Sequence, residues 1–390
     1  MDDIYEERSF QGTENVEIFP TWSSMKLKPE LESLILKNGW EKPSPVQTRA
    51  IIPISQGKSM VLQSQNGTGK TATFSIGVLQ RLKLSSKQTE LLVISPTREL
   101  AIQSENTLKS LGAKTRACIG GNSLGDDVKA LKNGIHCISG TPGRILQLLR
   151  EHNIDYTKVK SVVLDEADEM LTSFKRTIVD ILTILRPAKP QIVVVTATVS
   201  EDVIELYTGF LPKGLNLLVP RDELSLSQVN QYIVRTSEEY KFDALVNLYQ
   251  SVAIERAVVF VNKIDKGIWL KKQMETSGFT VSLAHGKLTM DEREKITSDF
   301  KNGETRVLIA TDVWARGIDV RNVTLVINFD IPTNCETYLH RIGRSGRFGR
   351  KGTAITFCSG PSDEKKIKKI QEYYSSVIEP LPSNLDSLFF

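Results

Sequence analysis

Val162-Val163-Leu164-Asp165-Glu166-Ala167-Asp168 passes from three apolar, β-prone residues into three carboxylates within seven positions. A run of this kind predicts a buried strand that delivers its acids to the edge of a sheet, where open α/β folds hold their ligands. Upstream, Val61-Leu62-Gln63 leads into Ser64-Gln65-Asn66-Gly67-Thr68-Gly69-Lys70-Thr71, a strand entering a glycine-rich loop and then a helix. That is the context a phosphate-binding loop requires. Together the two segments predict a nucleotide site that works with magnesium.

Working outward, short β-branched runs alternate with helix-like stretches. In the first half they fall at Met60–Gln63, Leu91–Ser95, Ile135–Ser139, Ser161–Asp165 and Gln191–Thr196, and Leu100, Leu108 and Leu111 recur on one helical face between them. After a polar break at Val219-Pro220-Arg221-Asp222-Glu223 a second series follows, at Arg256–Val261, Thr280–Leu283, Arg306–Ala310, Thr324–Asn328 and Ala354–Phe357. Strands alternating with helices predict parallel sheets covered on both faces. We read two α/β domains joined near residues 219–229; one large α/β sheet is the alternative. A last helix opens with Pro361-Ser362-Asp363-Glu364, with Ser362 its expected N-cap; its Lys365, Lys366, Lys368 and Lys369 read as a solvated face, with a localisation signal or an RNA contact as the alternatives.

A length of 390 residues accommodates two domains, each with its own core. The 40% hydrophobic and 25% charged content excludes whole-chain disorder. A net charge of +4 is mild, so nucleic-acid affinity must come from local clusters of Lys and Arg. Cys118, Cys137, Cys335 and Cys358 have no ligand spacing, which predicts free thiols and no zinc site. The acidic start and the lack of a roughly 20-residue apolar run predict a soluble, intracellular protein.

In the phosphate loop, backbone N–H groups cradle phosphate oxygens at a helix N-terminus. Lys70 is expected to reach the β- and γ-phosphates and Thr71 to ligate magnesium, although Ser64 stands where the general pattern has Gly. Asp165 is the complementary magnesium carboxylate, and Glu166 is placed to orient or deprotonate water. The second half contributes the opposite charge in His340-Arg341-Ile342-Gly343-Arg344-Ser345-Gly346-Arg347-Phe348-Gly349-Arg350. Arg344 and Arg347, three apart, are expected to share a helical face, and a guanidinium there can stabilise a γ-phosphate in transfer. A basic nucleic-acid patch is a compatible reading of the same segment.

These segments occur in series with Glu41-Lys42-Pro43-Ser44-Pro45-Val46-Gln47, Pro96-Thr97-Arg98-Glu99-Leu100, Gly120-Gly121, Thr141-Pro142-Gly143-Arg144, Thr196-Ala197-Thr198 and Thr311-Asp312-Val313-Trp314-Ala315-Arg316-Gly317-Ile318-Asp319. The ordered set resembles a DEAD-box ATP-dependent RNA helicase from about Trp22 to the end. Within that family it is most similar to the initiation factor 4A group, nearest its nuclear branch of exon-junction and ribosome-assembly members. The resemblance implies two tandem RecA-like parallel-sheet domains with a cleft between them. Residues 1–18 would be a flexible amino-terminal segment, 19–219 the ATP-binding domain, 220–229 a linker and 230–390 the second domain.

The resemblance also assigns roles. Gln47 would read the adenine edge, with Trp40 or Trp22 packing near the base, and Asp319 would accept from the ribose. The Thr196 and Thr198 hydroxyls would bond to the DEAD carboxylates, Asp168 among them, and His340 would bridge towards that segment. Thr97, Arg98, Gly121, Thr141, Arg144, Thr311 and Gly317 would line an RNA backbone groove. The implied cofactors are ATP and Mg²⁺. The implied partners are RNA, as single strand or short duplex, and an activator related to an initiation-factor-4G-type scaffold, acting on a monomer. Small ribosomal subunit assembly in the nucleolus is the expected process; an ATP-locked clamp in a splicing-linked assembly and a cytoplasmic translation helicase are the alternatives. Departures from the family pattern are Thr196 for Ser, Lys287 and Met290 for Asp and Gln, and Lys263-Ile264-Asp265 for adjacent basic residues.

Overall fold

The computed structural model describes residues 16–64, 68–83, 87–211, 214–217, 229–251, 254, 256–312, 323–345, 352–374, 376–382 and 385. The chain separates into two units, Met1–Pro220 and Arg221–Phe390, each built on its own sheet.

In the first unit the strands are β1 (Met60–Gln63), β2 (Leu91–Ile94), β3 (Thr115–Cys118), β4 (Cys137–Gly140), β5 (Ser161–Leu164), β6 (Gln191–Thr196) and β7 (Leu215–Leu217). They lie in the order β3-β4-β2-β5-β6-β1-β7, and every pairing is parallel. The helices are α1 (Pro29–Lys37), α2 (Gln47–Ser55), α3 (Lys70–Arg81), α4 (Arg98–Ser110), α5 (Leu124–Lys132), α6 (Pro142–Arg150), α7 (Ala167–Leu185) and α8 (Glu201–Phe210). Strands β1, β2, β5 and β6 are buried along their whole length. This explains why they read as continuous apolar runs rather than as alternations.

Two apolar clusters cover the two faces of this sheet. One includes Trp22, Ile51, Phe74 and Val195, and the other Ile145, Met170, Ile181 and Val194. Where α2 crosses α3, Gly77 admits Ile54: a Cβ on Gly77 would stand 2.7 Å from the Ile54 side chain. The close crossing brings the first residue of α2, Gln47, against the start of α3.

The second unit repeats the plan with β8 (Val229–Arg235), β9 (Ala257–Phe260), β10 (Val281–Ala284), β11 (Val307–Ala310), β12 (Leu325–Asn328), β13 (Gly352–Cys358) and β14 (Glu379–Pro380). Their order is β10-β11-β9-β12-β13-β8-β14, again parallel throughout. The helices are α9 (Lys241–Ser251), α10 (Ile264–Thr276), α11 (Met290–Asn302), α12 (Cys335–Ile342) and α13 (Pro361–Tyr374).

Four strands lie outside the sequence expectation: β3, β7, β8 and β14. All stand at or next to a sheet edge, where the apolar signal thins. The last helix starts at Pro361, so Ser362 lies inside its first turn and is not the N-cap expected of it. The Asp363 carboxylate accepts instead from the Ser359 backbone N–H at 3.0 Å and its hydroxyl at 3.1 Å. No helix among the described residues is long and apolar enough to cross a membrane.

Candidate nucleotide and RNA-backbone site

Parallel strands point their carboxyl ends the same way, so each loop leaving the first sheet meets its neighbours along one edge. The edge divides in two. The ends of β5, β6 and β1 carry the DEAD residues, the Thr196-Ala197-Thr198 turn and the phosphate loop. The ends of β3, β4 and β2 carry Gly120-Gly121, Thr141 to Arg144 and Thr97-Arg98.

On the first half, α3 begins at Lys70 behind Gly69, whose φ of +88° is a left-handed conformation suited to glycine. The buried Lys70 ammonium donates to the Ser64 carbonyl at 2.8 Å. The Ser64 and Thr68 hydroxyls share a hydrogen bond of 2.6 Å, so serine in place of glycine closes the loop on itself. Thr71, next along α3, is part exposed at this edge. Gln65, Asn66 and Gly67 lie outside the described residues.

Gln47, which on its residue type alone is a surface amide, is 7% exposed. Its carbonyl accepts from the Ser44 N–H at 2.7 Å, and its amide donates to the Gly69 carbonyl at 3.4 Å. Ser44 in turn donates to the Thr68 carbonyl at 2.7 Å. The glutamine segment and the phosphate loop thus form one hydrogen-bonded body. Trp22 is 4% exposed within the apolar core and donates to the Trp40 carbonyl at 2.8 Å, which leaves the half-buried Trp40 as the indole with surface to offer.

Asp165 and Glu166 are both buried. Glu166 takes a left-handed backbone (φ +50°) at the cap of α7, and its Oε2 is buried with no hydrogen-bond partner among the described residues. Burial, then the neighbouring Glu166, push the Asp165 carboxyl up to about 7 against the pull of Lys70. An orphaned buried oxygen and a carboxyl starved of positive charge fit a divalent cation. Among the described residues no cluster of three or more His, Cys, Asp or Glu could hold a metal by itself.

The Thr198 hydroxyl donates to Asp168 at 2.8 Å, as the resemblance implied. Thr196 does not. Its hydroxyl, fully buried at the end of β6, donates to the Thr198 carbonyl at 2.6 Å, because the short turn brings that carbonyl back over the strand end. One residue missed in the sequence is Gln63, whose buried amide donates to the Ala197 carbonyl at 3.2 Å and ties β1 to this turn.

On the other half, the Arg98 guanidinium lies against Gly120-Gly121. A Cβ on Gly121 would stand 2.9 Å from it, and φ of +97° disfavours any side chain there. Thr97 caps α4 by accepting from the Leu100 N–H at 3.3 Å. Thr141 precedes α6 in extended backbone and makes no side-chain cap. Arg144 pairs with Asp127 and donates to the Asn122 carbonyl at 2.7 Å. Asp127 is fully buried and also accepts from Arg116 at 2.9 Å. It too was missed, since in the sequence it reads as an ordinary first-turn acid of α5.

In the second unit, α12 ends at Ile342 with Gly343 at its cap. Arg344 therefore lies beyond the helix, and the face expected to be shared with Arg347 falls outside the described residues. Arg344 is 6% exposed, with Nε donating to the His340 carbonyl at 3.2 Å, and His340 is fully buried. Thr311, at the end of β11, donates its backbone N–H to the Ala284 carbonyl at 3.1 Å. Gly317, Asp319 and Arg347 lie outside the described residues.

Arg341 is the residue the sequence reading passed over here. It is fully buried, pairs with Asp312, donates to Asn262 Oδ1 at 2.7 Å and the Asp330 carbonyl at 2.6 Å, and lies 5.2 Å from the Phe260 ring.

The DEAD/DEAH box helicase family matches residues 44–206, and the helicase conserved C-terminal domain matches residues 240–349. The chain is 48% identical to ATP-dependent RNA helicase FAL1 of Meyerozyma guilliermondii, over 99% of this chain and 98% of that one. It is 47% identical to its namesake in Schizosaccharomyces pombe, over 99% of each. Among solved structures it is similar to Saccharomyces cerevisiae Dbp5 bound to RNA and ADP BeF3, with 32% identity, a TM-score of 0.87, and coverage of 94% and 97%.

Proposed function

The chain belongs to the DEAD-box helicase family and is an ATP-dependent RNA helicase, an ATP-hydrolysing enzyme that binds RNA; from that premise we propose which of its residues do the work and on what. The observation that carries the proposal is the divided edge of the first sheet. A phosphate loop with buried, under-compensated carboxylates adjoins a half that gathers Arg98, Arg144 and a two-glycine turn at the strand ends.

ATP is held by the backbone of residues 64–70 and by Lys70, with Gln47 and Trp40 at the base and Asp319 at the ribose. Thr71 and Asp165 would hold magnesium, which would neutralise phosphate charge. Glu166 positions and deprotonates the attacking water. Arg344 and Arg347 answer charge on the γ-phosphate, and the Asp168–Thr198 bond, with His340, passes the state of the nucleotide to the RNA grip. Thr97, Arg98, Gly121, Thr141, Arg144, Thr311 and Gly317 hold the RNA through phosphates and 2′-hydroxyls, so sequence preference is weak. The two units close on ATP and RNA together, bend one strand and release its partner, and hydrolysis resets them.

The process is small ribosomal subunit assembly in the nucleolus, with an initiation-factor-4G-type scaffold activating a monomer. The test measures ATP turnover with and without single-stranded RNA, then strand displacement. Turnover indifferent to RNA, with Glu166→Gln fully active, would sink the proposal. Slow turnover with long-lived RNA complexes in a non-hydrolysable analogue would replace unwinding by clamping. Recovery of the tagged protein only on cytoplasmic messenger RNA would move it to translation.

A further inference from the structure

The turn between β10 and α11 presents a lysine that no described residue of its own unit employs. Lys287 is exposed and makes no hydrogen bond or ion pair among the described residues. Its neighbours on either side are tightly held. The Arg293 guanidinium donates to the Gly286 carbonyl at 2.7 Å and to the Leu288 carbonyl at 3.2 Å, bracketing Lys287. Thr289 and Glu292 close a capping box just beyond, with the Thr289 N–H donating to the Glu292 carboxylate at 2.7 Å. The Leu288 N–H returns to the His285 carbonyl at 3.3 Å. The turn's backbone is thus ordered before any ligand arrives, and only the lysine side chain has freedom left to lose on meeting an anion.

The turn also stands in the right place. The order β10-β11-β9 sets the end of β10 beside that of β11, about 4.8 Å away. Thr311 follows β11 and is bonded to Ala284, the residue before His285. Of the other cations near this edge, Arg341 is engaged by Asp312 and Lys266 by Glu238 and Asp330, while Lys263, just after β9, is exposed like Lys287. Of the acids near the turn, Glu292 is committed to its cap, while Asp291 lies in the first turn of α11.

We propose that Lys287 is an RNA-phosphate contact of the second unit, extending the grip assigned to Thr311 by one strand. The assignment rests on the RNA-backbone reading of the strand ends given above. Its ligand is a phosphodiester, so Lys287 raises affinity for any RNA sequence alike.

The test titrates salt against binding of a labelled single-stranded oligouridine to the full chain, in the presence of ADP and beryllium fluoride. Loss of one neutralised phosphate flattens the salt slope by about 0.7, so across a tenfold rise in salt the wild type loses about fivefold more affinity than Lys287→Gln. Lys287→Arg keeps the wild-type slope, and Lys272→Gln, an exposed site on α10, changes nothing. In RNA-stimulated hydrolysis, Lys287→Gln raises the RNA KM and leaves kcat at saturating RNA unchanged. A Lys287→Gln slope equal to that of the wild type overturns the Lys287 assignment alone, provided RNA still stimulates hydrolysis. A wild-type chain that RNA does not stimulate overturns the underlying reading, and this one with it.

Discussion

Each unit buries charge at the carboxyl edge of its sheet, and the two do so in opposite ways. Asp165 and Glu166 are buried with too few partners: one carboxyl is pushed up to about 7, and one oxygen bonds to nothing among the described residues. Arg341 is buried with a partner on each side, from Asp312, Asn262, Asp330 and the face of Phe260. A buried charge left short of partners costs stability and persists only where a ligand completes it. A buried charge met on all sides ties elements together. Here Arg341 links the ends of β9, β11 and β12 to α12.

The contrast breaks first at Glu166. Glu166→Gln keeps the shape and removes the charge, so ATP turnover at saturating RNA falls by about 10²–10⁴ while the melting temperature holds or rises. A stability loss with turnover intact would mean that Glu166 is architecture. The mirror experiment is Arg341→Met. Removing one partner from a buried ionic network costs about 3 kcal/mol, at the lower end of such losses because Asp312 is part exposed and rehydrates. Denaturant unfolding of the second unit reads this directly, and an unchanged midpoint would dissolve the distinction.

Asp165 sharpens the comparison through pH. Its folded pKa lies above the unfolded value, so its contribution to stability is complete below about pH 4 and is lost as pH rises through about 7. Asp165→Asn lifts that penalty. The ligand-free variant is therefore more stable than the wild type by about 2–4 kcal/mol at pH 8, given 1.36 kcal/mol per pKa unit, and no more stable at pH 4. The same proton must leave before a cation binds, so magnesium-dependent nucleotide affinity in the wild type weakens below pH 7.

What the sequence announced and what it hid follow the same physics. The strands β1, β5 and β6 were legible because burial on both faces leaves an apolar run of three or four residues in each, and the loops at their ends because a phosphate cradle and a strand-end carboxylate need particular residue types. β3 and β8 were not: Thr115-Arg116-Ala117-Cys118 is buried only in its second half and opens with two polar residues, and Val229–Arg235 mixes amides and a tyrosine into its run. Asp127 and Arg341 were hidden for a different reason. Their importance lies in partners distant in sequence, Arg144 for one and Asn262 for the other, and no local pattern reports a contact between loops.

Gly121 tests the half of the edge proposed to hold RNA. Gly121→Ala forces a side chain into a left-handed backbone and against Arg98, costing about 1–2 kcal/mol. If Arg98 is displaced, RNA stimulation of ATP turnover falls while RNA-free turnover is kept. Equal losses in both would mean that the change acts on the fold.

The smallest effect belongs to Thr196, and it bears on where architecture ends and coupling begins. Thr196 and Thr198 sit two residues apart, yet one hydroxyl bonds to backbone and the other to a DEAD carboxylate. Thr196→Ser keeps the hydroxyl and deletes one buried methyl group, so stability falls by about 0.8 kcal/mol and RNA-stimulated turnover stays at the wild-type level. Thr198→Val removes the donor to Asp168 at a similar cost in stability, about 1 kcal/mol. There the loss should appear in strand displacement before it appears in ATP turnover, because the bond removed joins the nucleotide carboxylates to the turn after β6. Were Thr196→Ser the variant that uncouples the two, the carbonyl-bound hydroxyl would have to exchange partners during the cycle, and its position at the end of β6 would be one of two it occupies.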